Sequence, residues 1–168
     1  MALPFFIFGF PRSRTAWLSN WFTGGGSFCW HDEDPRVLDV SSPADRWCGL
    51  SDSLTGLNYS TVFRTFPLAP FALIERDIGD VHNSVMDMGM GIDPNRLWAR
   101  LYELELAHAA LPASVLRIPY AELDDMAVIQ TLERHLTPGR TFDERRWRML
   151  DGLRVEICEH KYVVQPNS

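Results

Sequence analysis

The chain has 168 residues, a formal net charge of −6, 46% hydrophobic residues and 23% charged residues. This length fits one domain, and the composition is ordinary for a folded soluble protein, which excludes a disordered chain. No run approaches the roughly 18 apolar residues of a membrane span, and the acidic balance argues against a general nucleic-acid binder.

Targeting signals and cysteines give little further information. The apolar residues 1–10 are followed, not preceded, by Arg12 and Arg14, so we expect mature protein here rather than a signal peptide. The three cysteines are odd in number and widely spaced, which predicts neither a zinc site nor a disulfide framework. We expect a cytoplasmic protein with no membrane partner and no metal.

The rest of the chain predicts an alternation of strands and helices. The predicted strands are short apolar runs at residues 4–10, 27–31, 70–75 and 114–119. The predicted helices have apolar residues at helical spacing and cover 13–22, 79–90, 93–111, 124–136 and 141–150. Residues 32–55 predict a loop with short helical pieces, residues 60–66 could be extended, and the tail from residue 154 stays ambiguous.

Three of these helices begin with capping signals. Asp93 precedes a first-turn proline, and either Asp124 or Asp125 could cap the next helix. Thr141 and Glu144 have the spacing of a capping box. The alternation predicts an α/β fold with a mainly parallel sheet, formed by residues 1–168 as a single domain.

The turn between the first strand and the first helix carries the first candidate site. Residues 9–17 read Gly-Phe-Pro-Arg-Ser-Arg-Thr-Ala-Trp. Unpaired amides and the helix dipole make such a turn suitable for a phosphate or sulfate group. Arg12 can add a full positive charge, and Ser13 and Thr15 can add hydroxyl donors.

The same turn departs from the phosphate loop of ATP-hydrolysing enzymes. In the pattern G-x-x-x-x-G-K-[ST], Arg14 stands at the second glycine, Thr15 at the lysine and Ala16 at the magnesium-binding hydroxyl. Magnesium-dependent ATP chemistry, and with it a small-molecule kinase, is therefore disfavoured.

The segment Pro11-Arg12-Ser13-x-Thr15-x-Trp17 resembles the 5′-phosphosulfate loop of sulfotransferases, which usually reads Pro-Lys/Arg-Ser-Gly-Thr-Thr. These enzymes take a sulfuryl group from 3′-phosphoadenosine 5′-phosphosulfate (PAPS) and release 3′-phosphoadenosine 5′-phosphate (PAP). The resemblance implies a three-layer sandwich like that of P-loop NTPases. Arg14, at the usual glycine position, either narrows the loop or points outward. The loop residues implied to contact PAPS are Pro11, Arg12, Ser13, Arg14, Thr15, Ala16 and Trp17, the last beside the adenine or else in the core.

A second segment supports the same resemblance. Arg76 follows the predicted strand at residues 70–75, and Ser84 lies eight residues later in a predicted helix. Ligands of open α/β sheets bind beyond the carboxyl ends of the strands, so the two side chains could converge on one anion. Sulfotransferases use Arg and Ser at this spacing for the 3′-phosphate. Surface pairing of Arg76 with Asp77 or Asp80 is the alternative.

A third segment resembles the same family and follows the first two in the family's order along the chain. Tyr120-Ala-Glu-Leu123 resembles the Tyr-Glu-Asp-Leu that follows a strand in sulfotransferases, where its role is mostly structural. The three segments together imply a compact PAPS-dependent sulfotransferase. The alternative is a non-catalytic nucleotide-binding or interaction module on the same fold.

The general base is the weakest part of the resemblance. Phe66, in Arg-Thr-Phe-Pro, stands where cytosolic sulfotransferases carry histidine. His31 and Glu33, at the end of the second predicted strand, are the replacements we expect. Asp52 and Ser53 form a weaker case. The resemblance assigns Arg12 to the bridging and leaving oxygens, as a catalytic residue with His31 and Glu33.

Overall fold

A computed structural model of the chain describes residues 2–32, 45–53, 59–151, 153–158 and 161–166. The strands are β1 (Leu3–Gly9), β2 (Ser27–His31), β3 (Trp47–Asp52), β4 (Phe71–Glu75), β5 (Leu116–Pro119), β6 (Leu153–Cys158) and β7 (Lys161–Pro166). The helices are α1 (Thr15–Phe22), α2 (Tyr59–Thr65), α3 (Ile78–Met86), α4 (Pro94–Ala109), α5 (Met126–Leu136) and α6 (Glu144–Asp151), with a 3₁₀ turn at Tyr120–Glu122.

The five strands β1 to β5 form one sheet in the order β2-β3-β1-β4-β5, and every neighbouring pair is parallel. The α/β class and the parallel sheet predicted from the sequence are therefore confirmed. β6 and β7 pair antiparallel in a separate hairpin. None of the helices in the described part is long and apolar enough to cross a bilayer.

The sheet is covered on both faces, which makes three layers. One face packs Phe5 and Ile7 against α1, α5 and α6, and the other packs Phe6 and Phe8 against residues of α2 and α4. β1 is central and buried on both faces, as its continuous apolar sequence predicts. Gly49 on β3 is required because a Cβ there would lie 2.1 Å from the ring of Phe5.

Two sequence predictions of secondary structure are wrong. Residues 47–52 form β3, a fully buried strand next to β1, where a loop was expected. Residues 60–66 fall largely in helix α2, although Thr61, Val62 and Phe63 favour extended structure in isolation. Packing of α2 on the apolar sheet face outweighs this local preference.

The helix starts are mostly as predicted. Asp93 and Asp125 accept backbone N–H bonds in the first turns of α4 and α5. The capping-box prediction is wrong in its first residue, because α6 begins at Glu144 and the carboxylate of Asp143 accepts the N–H of Arg146 at 2.9 Å.

Candidate functional site

The loop between β1 and α1 lies at the carboxyl edge of the sheet. Arg12 and Arg14 both adopt left-handed backbone conformations, with φ of 66° and 60°. Glycine adopts this conformation without strain, so Arg14 keeps the backbone shape that a glycine at this position provides. Its guanidinium pairs with Asp124.

The start of α1 has no side-chain cap. In contrast, Asp77, Asp93 and Asp125 cap α3, α4 and α5. The first amides of a helix have no partner within the helix, and the dipole gives this end partial positive charge. The N–H groups at the start of α1 can therefore donate hydrogen bonds to a bound anion.

Ser13 lies inside this loop and is fully buried. Its Oγ has no hydrogen-bond partner among the described residues, whereas its N–H donates to the carbonyl of Phe10 at 3.2 Å. A buried hydroxyl without a partner is uncommon and costs stability. A ligand oxygen at the helix start would supply the missing partner.

Arg12 contacts both Arg76 and Ser84, which were predicted to bind the 3′-phosphate. Its Nε donates to the Oγ of Ser84 on α3 at 3.3 Å. Its carbonyl oxygen accepts a hydrogen bond from the guanidinium of Arg76, which follows β4. Arg76 and Ser84, which the sequence predicted to converge, thus both contact Arg12.

The guanidinium groups of Arg76 and Arg14 lie over the ring of Tyr120. The guanidinium of Arg76 lies 4.3 Å from its ring centroid, and that of Arg14 lies 5.8 Å away. Such stacking orients a guanidinium without neutralising it. The Nε of Arg76 is buried and has no partner in the described structure, so this donor remains for a ligand.

His31 reaches the loop from the end of β2. Its Nε2 lies 3.3 Å from Oγ1 of Thr15 and 3.4 Å from Oδ2 of Asp32. Asp32 is held in turn by the N–H and hydroxyl of Ser53, at 2.7 and 3.1 Å from Oδ1. A proton on Nε2 held by Asp32 leaves the lone pair on Nδ1, the form a general base needs.

The other predicted residues lie in different surroundings. Trp17 packs its ring edge-on against Trp147 at 5.5 Å, and its Nε1 donates to the carbonyl of Leu150 at 3.2 Å. It therefore lies in the aromatic cluster on the α1 side, which is the core role left open by the sequence. Pro11 is partly buried and Ala16 is exposed beside the loop. Glu33 lies outside the described residues.

Phe66 also has a structural role. Phe66 directly follows α2, and its ring centroid lies 5.2 Å from that of Phe6 on the sheet.

Sequence reasoning missed Asp32 and Tyr120 as members of the site. A pattern of an acidic residue directly after a strand-end histidine was the available signal for Asp32, but no local pattern marks Tyr120 as a partner of the two guanidinium groups.

Neither protein-family models nor curated proteins give a match to this chain. Within the described ranges, no three His, Cys, Asp or Glu side chains cluster in a way that would hold a metal ion.

Proposed function

We propose that the chain is a sulfotransferase that moves a sulfuryl group from PAPS to a hydroxyl or amine acceptor by metal-independent in-line transfer, on a P-loop-like fold. The observation that carries the proposal is the uncapped start of α1 beside the buried, unpartnered hydroxyl of Ser13. The loop directly follows the central strand of a parallel sheet ordered β2-β3-β1-β4-β5, which supports the P-loop-like architecture.

The chain's own residues suit the binding of PAP on chemical grounds. The amides that begin α1, together with the hydroxyl of Ser13, would hold the 5′-phosphate. The buried Nε of Arg76 and the hydroxyl of Ser84 would hold the 3′-phosphate, with Tyr120 fixing the guanidinium plane. Arg12, whose Nε donates to the hydroxyl of Ser84, would add a positive charge beside these groups.

PAPS supplies the activated sulfuryl group, whose bond to the 5′-phosphate oxygen breaks as a bond to the acceptor oxygen or nitrogen forms. Arg12 would stabilise the charge that develops on the leaving phosphate oxygen. His31 would take the acceptor's proton, with Asp32 stabilising the imidazolium that results. Positioning and charge account for the catalysis.

The alternative is a nucleotide-binding or interaction module without catalysis. Phe66 packs on the sheet and offers no base at the usual histidine position, and Arg14 is paired with Asp124 at the usual glycine position. Both features favour this view. A kinase is disfavoured because the loop lacks the lysine and the following hydroxyl of G-x-x-x-x-G-K-[ST].

Calorimetric titration tests the proposal. We expect PAP to bind more tightly than AMP, and Arg76→Ala to weaken PAP about 10- to 100-fold while changing AMP little, since only PAP carries the 3′-phosphate. Arg134→Ala is the matched control and should bind as wild type, because Arg134 is exposed on α5 and donates to the hydroxyl of Thr131. Failure of folded protein to bind PAP would overturn the proposal.

Catalysis needs a separate test. Transfer of labelled sulfate from PAPS to a panel of phenols, alcohols and amines should be measured for wild type, His31→Gln and Asp32→Asn. The enzyme hypothesis predicts that both variants lose transfer and keep PAP binding. Saturable PAP binding without transfer to any acceptor would favour the non-catalytic module.

A further inference from the structure

The amino edge of the sheet carries a cavity of about 420 Å³. It lies among the glycine turn before β2, the start of β3 and the segment between α5 and α6, and three arginines line it: Arg46, Arg140 and Arg146. Its volume falls within the range of small-molecule sites, about 300–1,000 Å³. Six residue steps of β1 separate this edge from the β1–α1 loop, which places the two regions about 20 Å apart.

Backbone carbonyls and aromatic rings hold these arginines in place. Arg140 donates to the carbonyl of Trp21 at 3.0 Å, and Arg146 donates to the carbonyl of Asn20. The guanidinium of Arg46 lies 4.6 Å from the ring centroid of Trp47. These contacts orient the cations and leave their charge in place.

The two nearby carboxylates do not balance the three cations. Glu133 pairs with Arg140, with its carboxylate 3.7 Å from Nε, and burial raises the pKa of Glu133 while the charge of Arg140 lowers it. Asp143 also lines the cavity, and its carboxylate accepts the N–H of Arg146 at the start of α6. The three guanidinium groups thus exceed the two carboxylates by one formal charge. The cavity therefore carries net positive charge in a partly desolvated setting, where an anion binds more strongly than on an open surface.

Arg140 and Trp47 line the cavity, and each carries a buried donor that has no partner among the described residues. The side chain of Arg140 is 6% exposed and Trp47 is 3% exposed. Neither Nη1 of Arg140 nor Nε1 of Trp47 makes a hydrogen bond to a described residue. Because buried donors without partners are costly, a ligand in the adjoining cavity that supplies acceptor oxygens would stabilise them.

Two glycines leave the cations uncovered. Gly25 and Gly139 both have positive φ, 61° and 83°. A Cβ at Gly25 would lie 3.6 Å from Nε of Arg140, and one at Gly139 would lie 3.9 Å from a terminal nitrogen of Arg46. These two glycines thus place no side chain against the guanidinium groups of Arg140 and Arg46.

We infer that this cavity binds a small organic molecule that carries a phosphate or sulfate group. The guanidinium groups of Arg46, Arg140 and Arg146 bind the oxyanion, which matches the planar donor pairs of arginine. The indole N–H of Trp47 donates to the same group. The remaining volume takes the organic part of the molecule. This site is separate from the nucleotide site proposed at the carboxyl edge and does not depend on it.

Amide and indole NMR shifts test the inference. Wild-type protein is titrated with phenyl phosphate, phenyl sulfate and inorganic phosphate at constant ionic strength set by sodium chloride. We expect saturable shifts of the Gly25 and Gly139 amides and the Trp47 indole. The two phenyl esters distinguish a phosphate site from a sulfate site, and inorganic phosphate measures the contribution of the organic part.

Variants assign the binding to the cavity. Arg46→Gln and Arg146→Gln should each weaken binding about tenfold or more, the effect of losing one charge-assisted hydrogen bond. Arg148→Gln is the matched control, because Arg148 lies on the same helix and pairs with Glu144 at the surface. It should bind as wild type.

Three results would overturn the inference. They are the absence of saturable shifts in wild-type protein, binding by both Arg46→Gln and Arg146→Gln as tight as that of wild type, and shifts confined to the β1–α1 loop. Arg46 is exposed, so Arg46→Gln keeps the fold and can be tested even if Arg146→Gln is unstable. Loss of PAP binding in Arg76→Ala would not affect any of these readings.

Discussion

The two edges of the parallel sheet present anion-binding chemistry of different kinds. At the carboxyl edge, the uncapped amides of α1 and the buried hydroxyl of Ser13 are the main donors, and Arg14 is paired with Asp124. At the amino edge, Arg140 and Arg146 line a cavity beside a glycine turn. The first edge depends on fixed backbone geometry and the second on full charges.

This difference indicates which properties each edge should show. Backbone amides and dipoles are fixed by the fold, so binding at the carboxyl edge depends on the shape of the loop. Binding through guanidinium groups depends on charge and weakens with salt where the groups are accessible. The edges also differ in their buried titratable groups, Glu133 at the amino edge and His108 near the carboxyl edge.

The largest expected effect is at the amino edge. Glu133→Ala leaves the buried guanidinium of Arg140 without its ion pair, and we expect a loss of about 3–5 kcal/mol in the free energy of unfolding. Glu144→Ala removes an exposed pair with Arg148 and should cost about 0–1 kcal/mol. Urea unfolding measures both. Equal losses would show that the amino edge is not built on a buried charge.

A residue near the carboxyl edge, His108, should instead make the free energy of unfolding fall at acid pH. Burial, helped by the charge of Arg117, lowers the pKa of His108 from 6.5 to about 4. The folded state then binds fewer protons than the unfolded state between these values. This contribution to stability is present above pH 6.5 and is lost as the pH falls towards 4, a total of about 3 kcal/mol.

His108→Gln should remove that part of the pH dependence. Its unfolding free energy, measured between pH 7.5 and 4, should fall less steeply than that of wild type. His135→Gln on α5 is the control and should keep the wild-type slope, because His108 is intact. Identical slopes for all three proteins would contradict the role assigned to burial of His108.

The smallest effect is expected in the loop itself. Arg14→Gly relieves a left-handed backbone strain of about 1 kcal/mol and removes an exposed ion pair of about 0–1 kcal/mol, so stability should change by less than about 1 kcal/mol. Arg14→Val places a β-branched residue in the same conformation and should be less stable than Arg14→Gly. Thermal unfolding compares them. A large loss in Arg14→Gly would mean that the pair with Asp124 holds the loop.

Sequence reasoning was most successful where local chemistry decides the structure. β1 was visible as a continuous apolar run, and α4 was visible through Asp93 and Pro94. β3 was missed because Trp47–Asp52 contains a glycine and small polar residues that only burial between two strands explains. α2 was predicted as extended because its preference for helix comes from packing on the sheet.

In the candidate site, too, the residues marked by local sequence could be predicted and those placed by distant contacts could not. Arg12, Ser13 and Thr15 could be found from the turn after the first strand, and Arg76 from the end of another strand. Tyr120 and Asp32 could not be assigned, because their roles depend on contacts with residues distant in the chain or held by another strand. The cavity at the amino edge was invisible for the same reason, since its arginines come from separate segments.

In the proposed function, the carboxyl edge holds a nucleotide at the start of α1. A crystal structure of the protein with PAP tests this most directly. We expect the 5′-phosphate on the first amides of α1 and on the hydroxyl of Ser13, with the 3′-phosphate beside Arg76 and Ser84. PAP bound only among Arg46, Arg140 and Arg146, or no PAP in crystals of folded protein at saturating concentration, would contradict it.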